Sequence, residues 1–228
     1  MNRINILDNL RGIAFLFMMV HHIFYYIDIS NKNLTHYAYN NIINTCGIIA
    51  RTSFIFLAGY SMNMTYKKYK EKYLMKRFIK SFEIFVHALI ITIVSYVLYN
   101  DNYIRFGILH FISLGTLIIS VLTPYKKLSL VALLLSITIK LPVISPTVDT
   151  ISGASANYNM LDWYPLNQWL PLLLSGMIAG QYIDILNIQA NALEKSSILT
   201  SIGKNCLNLY TIHVVIFMIM AKCKQLNF

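Results

Sequence analysis

The chain has 228 residues and a net charge of +10, yet 57% of its residues are hydrophobic and only 12% are charged, against about 25% charged in an average soluble domain. Together with a mean hydropathy of +0.56, this excludes water as the main solvent of the fold. Lys and Arg cluster in short segments between long apolar runs, where membrane topology accounts for them, so the positive charge does not call for a nucleic-acid partner.

The apolar runs are long and do not alternate, which points to helices and not to barrel strands. Their lengths predict an all-α, polytopic membrane bundle of about seven transmembrane helices, one domain over residues 1–228. The expected spans are residues 10–28, 42–62, 79–98, 104–122, 128–145, 166–185 and 202–221. The first run is not a cleaved secretory signal. Asp8 and Arg11 interrupt its start, it continues into His21, His22 and Tyr25, and no small-residue cleavage pattern follows.

Between the second and third runs, Lys67, Lys68, Lys70, Lys72, Lys76, Arg77 and Lys80 face the single acid Glu71, the mark of a cytoplasmic segment. Alternation then puts the N-terminus, Lys126, Lys127 and the Glu194–Lys204 connection inside, and Asn100–Tyr103 and Ser145–Trp163 outside. Lys222 and Lys224 disagree with an odd span count. The outer loop, rich in Ser, Thr, Asn, Gly and Pro, ends in Asp162-Trp163-Tyr164-Pro165, read as an interfacial aromatic belt or as a substrate-facing wall.

Polar groups kept at membrane depth are costly, about 2.5–3.5 kcal/mol for a charge at a helix centre, and so mark function. Asp8 and Arg11 are three apart and can pair on one helix face. Eleven residues separate Arg11 from His22, about three turns or ~16 Å along the same face. His110, in the fourth run, and His213, in the seventh, fall at comparable depth, so histidines from three helices can line one site. Imidazole suits proton removal from a hydroxyl or amine near neutral pH, although each ring taken alone is read first as an interhelical hydrogen bond. His36 belongs to the first outer loop, and Arg51 to the outer side of the second run. The cysteines Cys46, Cys206 and Cys223 lack metal or disulfide spacing, and no metal site is expected. Phosphate-loop, dinucleotide, zinc-protease and serine-hydrolase strings are absent.

Several blocks carry a more specific signal. Asp8-Asn-Leu-Arg-Gly-Ile-Ala followed by apolar residues up to His21-His22, then Arg51-Thr-Ser-Phe-Ile-Phe-Leu-Ala-Gly-Tyr-Ser, Phe106-Gly-Ile-Leu-His-Phe-Ile, Tyr164-Pro-Leu-Asn-Gln-Trp-Leu and Ile202-Gly-Lys-Asn-Cys-Leu-Asn-Leu-Tyr-Thr-Ile-His stand in order along the chain. The set resembles the catalytic domain of the heparan-alpha-glucosaminide N-acetyltransferase family. The resemblance implies transfer of an acyl group, acetyl above all, from cytoplasmic acyl-CoA to an amino or hydroxyl group of an extracytoplasmic sugar or glycan.

On that resemblance His22 is the expected general base, assisted by His110, with His36 as the alternative base. Lysosomal members carry a non-histidine residue at the position of His22 and a histidine nearer His36. Direct transfer and an acetyl-histidine intermediate both stay open. Asp8 and Arg11 are expected to face acetyl-CoA or another acyl-CoA co-substrate. Arg51, His213, Tyr210, Asn205 and Trp163 are expected at the acceptor, Asn205 or Tyr210 as oxyanion donors. Membrane lipid and a glycan acceptor are the expected partners, and homodimerisation is left open. The competing expectation is a non-enzymatic membrane carrier or assembly protein whose histidines relay protons or lock helices.

Overall fold

The computed structural model describes residues 5–31, 36–155, 159–183 and 198–226, and among them the structure is helical with no strand. In chain order the helices are α1 (Asn5–Ser30), α2 (Asn41–Tyr69), α3 (Tyr73–Tyr99), α4 (Ile108–Ile119), α5 (Lys126–Thr138), α6 (Pro146–Ser152), α7 (Leu166–Tyr182), α8 (Ile198–Lys204) and α9 (Cys206–Leu226). The all-α membrane bundle expected from the sequence is what forms. Among the described residues, three helical stretches are long and apolar enough to cross a bilayer: α1, the 62-residue stretch Asn41–Asn102 that holds α2 and α3, and α9. A 3-10 turn at Lys70–Lys72 divides α2 from α3, with Lys70 at a positive φ of 34°. At 29 and 27 residues, each reaches about 40 Å, enough for one crossing.

The fourth, fifth and sixth expected spans come out shorter. Of these, α4 has 12 residues, α5 has 13 and α7 has 17. Hydropathy alone overestimates them, because a run such as Ile139–Ile144 is apolar without being helical. The expected inner connection from Glu194 falls, up to residue 197, outside the described residues.

Lipid replaces water around much of this surface. Along α3, Arg77, Ser81, Ile84, Ala88, Ile91 and Ser95 are buried at helical spacing, whereas Phe78, Phe82, Val86, Ile93 and Val97 are exposed. Polar and small residues turned inward with large apolar ones outward is the pattern of a helix in hydrocarbon, where exposed apolar area carries no penalty.

The chain forms two compact units. One comprises residues 55–92 and 101–189. Its centre is a close crossing of α2 and α7, where a Cβ on Gly59 would strike the Leu173 carbonyl and one on Gly176 the Phe56 carbonyl. Gly176 and Gly180 form a small-xxx-small stripe, which lets backbones approach and dispersion contacts accumulate where no hydrophobic effect drives helices together. Asn63 Nδ2 donates to the Met177 carbonyl at 2.6 Å, and the Tyr60 hydroxyl to the Ile183 carbonyl at 2.8 Å.

The other unit comprises residues 2–54, 93–100 and 190–228. Here α8 packs antiparallel on the start of α1, and α9 runs parallel to the rest of it. A Cβ on Gly203 would strike the Asp8 carbonyl, and one on Gly12 the Leu199 carbonyl. The Thr200 hydroxyl donates to Asn9 Oδ1 at 2.6 Å, and at the far end Lys224 Nζ donates to Asn31 Oδ1 at 3.1 Å. Gly12 is the glycine of the Leu-Arg-Gly string, and close helix approach is its physical reason. The start of α2 packs on α1 as well, since Gly47 lies under the ring of His21.

Candidate functional site

Parallel packing of α1 and α9 brings His22 and His213 together. His22 Nδ1 lies 2.8 Å from His213 Nε2, and the rings stack with centroids 5.1 Å apart. His213 is buried at 7% exposure, and its Nδ1 is 2.9 Å from the Leu209 carbonyl. A carbonyl only accepts, so His213 Nδ1 carries a hydrogen. A charged ring at this depth is disfavoured, and a neutral ring protonated on Nδ1 leaves a lone pair on Nε2. That lone pair takes the hydrogen bond from His22 Nδ1. His22 then keeps its own lone pair on Nε2. The chain from Leu209 through His213 to His22 thus fixes both tautomers.

Aromatic edges hold the pair in place. Phe15, Tyr210 and Phe217 each meet the His213 ring edge-on, at centroid distances of 5.4, 5.4 and 5.6 Å. Tyr26 meets His22 edge-on at 6.0 Å, and Tyr210 lies 6.1 Å from it. His22 is half-buried where His213 is buried. His21, rotated about 100° around the helix, turns to α2 and donates from Nδ1 to the Ile43 carbonyl at 3.2 Å.

Arg11 and Asp8 pair as expected, Nη1 to Oδ1 at 2.7 Å, with Asp8 at 1% and Arg11 at 23% side-chain exposure. Arg51 is half-buried on α2. His36 is exposed in the left-handed conformation, φ 52°, just before a 3-10 turn at Tyr37–Tyr39. That turn is fastened to the end of α1 by Asp28, whose carboxylate accepts from the Tyr37 and Ala38 amides at 2.8 and 2.7 Å. Asn205 is exposed at the break between α8 and α9, and its side-chain amide donates to the Ser201 carbonyl at 2.9 Å.

His110 and Trp163 belong to the other compact unit. Nδ1 of His110 accepts from the Gly107 amide at 3.3 Å, and Nε2 donates to Thr92 Oγ1 at 3.3 Å. Thr92 passes its own hydrogen to the Ile104 carbonyl at 2.8 Å. Both nitrogens of His110 are therefore committed, and Phe85 and Phe106 flank the ring. Trp163 Nε1 donates to the Thr150 carbonyl at 2.7 Å, its backbone bridges to Phe106, and Asp162 Oδ2 accepts from the Ile108 amide at 3.2 Å. The loop before α7 is thus folded onto the start of α4.

The match to known families decides what such a histidine pair belongs to. The family model for the catalytic region of heparan-alpha-glucosaminide N-acetyltransferase matches residues 3–215. The chain belongs to that family. The matched segment holds the Asp8–Arg11 pair, His22, Tyr210 and His213, which makes this membrane chain a member of an acetyltransferase family. No curated protein and no solved structure matches it.

Sequence reasoning named His22, His213 and Tyr210 but overlooked the residues that orient them. Leu209, Phe15, Tyr26 and Phe217 give no polar signal, and Asp28 is one acid in an apolar run. Spacing from the named residues was the available clue, since Tyr26 follows His22, and Leu209 and Phe217 flank His213, by four positions. Among the described residues no group of His, Cys, Asp and Glu is arranged to hold a metal ion.

Proposed function

We propose that this chain transfers an acyl group, acetyl above all, from acyl-CoA to an amino or hydroxyl group of a sugar or glycan, crossing the membrane several times with its N-terminus on the cytoplasmic side. The observation that carries this reading is the oriented His22–His213 pair inside a segment that belongs to an acetyltransferase family. His22 Nε2 is the base. As the acceptor nitrogen or oxygen attacks the thioester carbonyl, it loses its proton to His22 Nε2. The imidazolium is stabilised through its Nδ1–H by His213 Nε2, a charge-assisted bond of the stronger class. The tetrahedral oxyanion collapses, the carbon–sulfur bond breaks, and the departing thiolate takes the proton from His22.

Each remaining residue has a narrower part. Tyr210, in ring contact with both histidines, is the oxyanion donor in this reading. Asn205 is the weaker choice because its amide is already spent on Ser201. Arg11, only partly covered and anchored by buried Asp8, meets the anionic donor substrate in this reading. Arg51 and His36 stay as acceptor-side residues. His110 is left out of the chemistry, because neither of its nitrogens is free to take a proton.

The test is transfer of labelled acetyl from acetyl-CoA to a glucosamine-terminated acceptor by the purified protein in proteoliposomes. Labelled product supports the reading. Flux of a solute across the same vesicles without CoA, and no labelled product, would replace it with a carrier.

A further inference from the structure

Arg77 stands one turn after Tyr73 on α3. Its side chain is buried, with the residue at 6% exposure, and its Nε is enclosed with no hydrogen-bond partner. Among the described residues no carboxylate pairs with it. The Tyr73 hydroxyl, one turn before it, meets Thr123 Oγ1 at 2.7 Å. On the same threonine, Gln181 Nε2 donates to the Thr123 carbonyl and to Ser129 Oγ, both at 2.9 Å. That leaves Gln181 Oε1 enclosed and without a partner. The buried Arg77 Nε, one turn from the tyrosine that meets Thr123, and the buried Gln181 Oε1 beside Thr123 are thus each left without a partner. Just before Tyr73 in the chain, Lys70 and Lys72 are exposed.

A buried charge without a counter-charge is expensive, and removing solvent from it is repaid only by a partner. The missing partner is an anion. A guanidinium fork matches phosphate oxygens, and the lysines raise the local concentration of phosphate-bearing molecules. We propose that Arg77 is the core of a phosphate-binding site at the basic end of residues 55–92 and 101–189, with Gln181 Oε1 receiving a donor of the bound molecule. The phosphate comes either from an acyl-CoA or from an anionic lipid headgroup. The proposal goes beyond acyl transfer, because a lipid headgroup fills the site without any reaction.

The experiment measures the thermal midpoint of the full chain in detergent with inorganic phosphate, CoA, or phosphatidylglycerol against phosphatidylcholine. At saturation at least one phosphate probe is expected to raise the wild-type midpoint by about 5–10 °C. Arg77→Met is expected to abolish that rise, and Lys76→Met to keep it. If Arg77→Met does not fold, Arg77→Lys takes its place, with binding expected to weaken at least about tenfold as the fork is lost. A rise with CoA alone assigns the site to the donor substrate. With phosphatidylglycerol alone it assigns it to lipid, and leaves labelled acetyl transfer to be judged separately. The proposal fails if no probe moves the wild type, if Arg77→Met keeps the rise, if Arg77→Lys binds unchanged, or if Lys76→Met loses as much as Arg77→Met.

Discussion

Replacing His213 by Phe separates orientation from packing at the histidine pair. Phe fills much of the same space among Phe15, Tyr210 and Phe217, so the fold should lose little. Interhelical polar contacts in membranes average about 0.6 kcal/mol, with a maximum near 1.7. The reaction loses more. His22 Nδ1 no longer has the acceptor that lies 2.8 Å away, and the imidazolium formed in the transition state loses a charged hydrogen bond worth about 1.5–3 kcal/mol. At about 1.36 kcal/mol per factor of ten, kcat for acetyl transfer should fall roughly 10- to 150-fold, with the KM for acetyl-CoA nearly unchanged. His213→Gln restores an acceptor oxygen and should recover part of the loss. A kcat for His213→Phe within twofold of wild type, at similar thermal stability, would refute the relay.

Three further outcomes follow from the same geometry. Gly203→Ala drives a Cβ against the Asp8 carbonyl, a backbone atom that cannot rotate aside, so the cost should reach or pass about 3 kcal/mol, seen as a large fall in the detergent melting temperature. His110→Ala strands the Gly107 amide, so stability should fall by about 1–3 kcal/mol while kcat per folded molecule stays within a few-fold of wild type. Asp28→Ala releases the Tyr37 and Ala38 amides, and hydrogen exchange at those two amides should accelerate selectively, with exchange along α1 unchanged.

Composition made the solvent legible, and the apolar runs located α1, α2, α3 and α9, because hydrocarbon demands long unbroken helices. It was less informative about α4, α5 and α7, where helices supported by protein neighbours need not span the full thickness. At the site, the polar residues were legible because each is an anomaly in an apolar run. Which rings touch was not legible, because the direction around each helix depends on packing. Gly12 and Gly203 set how α1 meets α8, and α9 follows so that His213 meets His22. Within its own unit His110 is held by the Gly107 amide and Thr92. The Gly176–Gly180 stripe, a helix-crossing signal, was passed over in the sequence.

The most direct measurement is the rate of acetyl transfer by His22→Ala beside wild type, both purified and both shown folded by their melting temperatures. A loss of about 100- to 10,000-fold, the usual worth of a general base, is the predicted result. Wild-type transfer by folded His22→Ala would contradict the account at its centre.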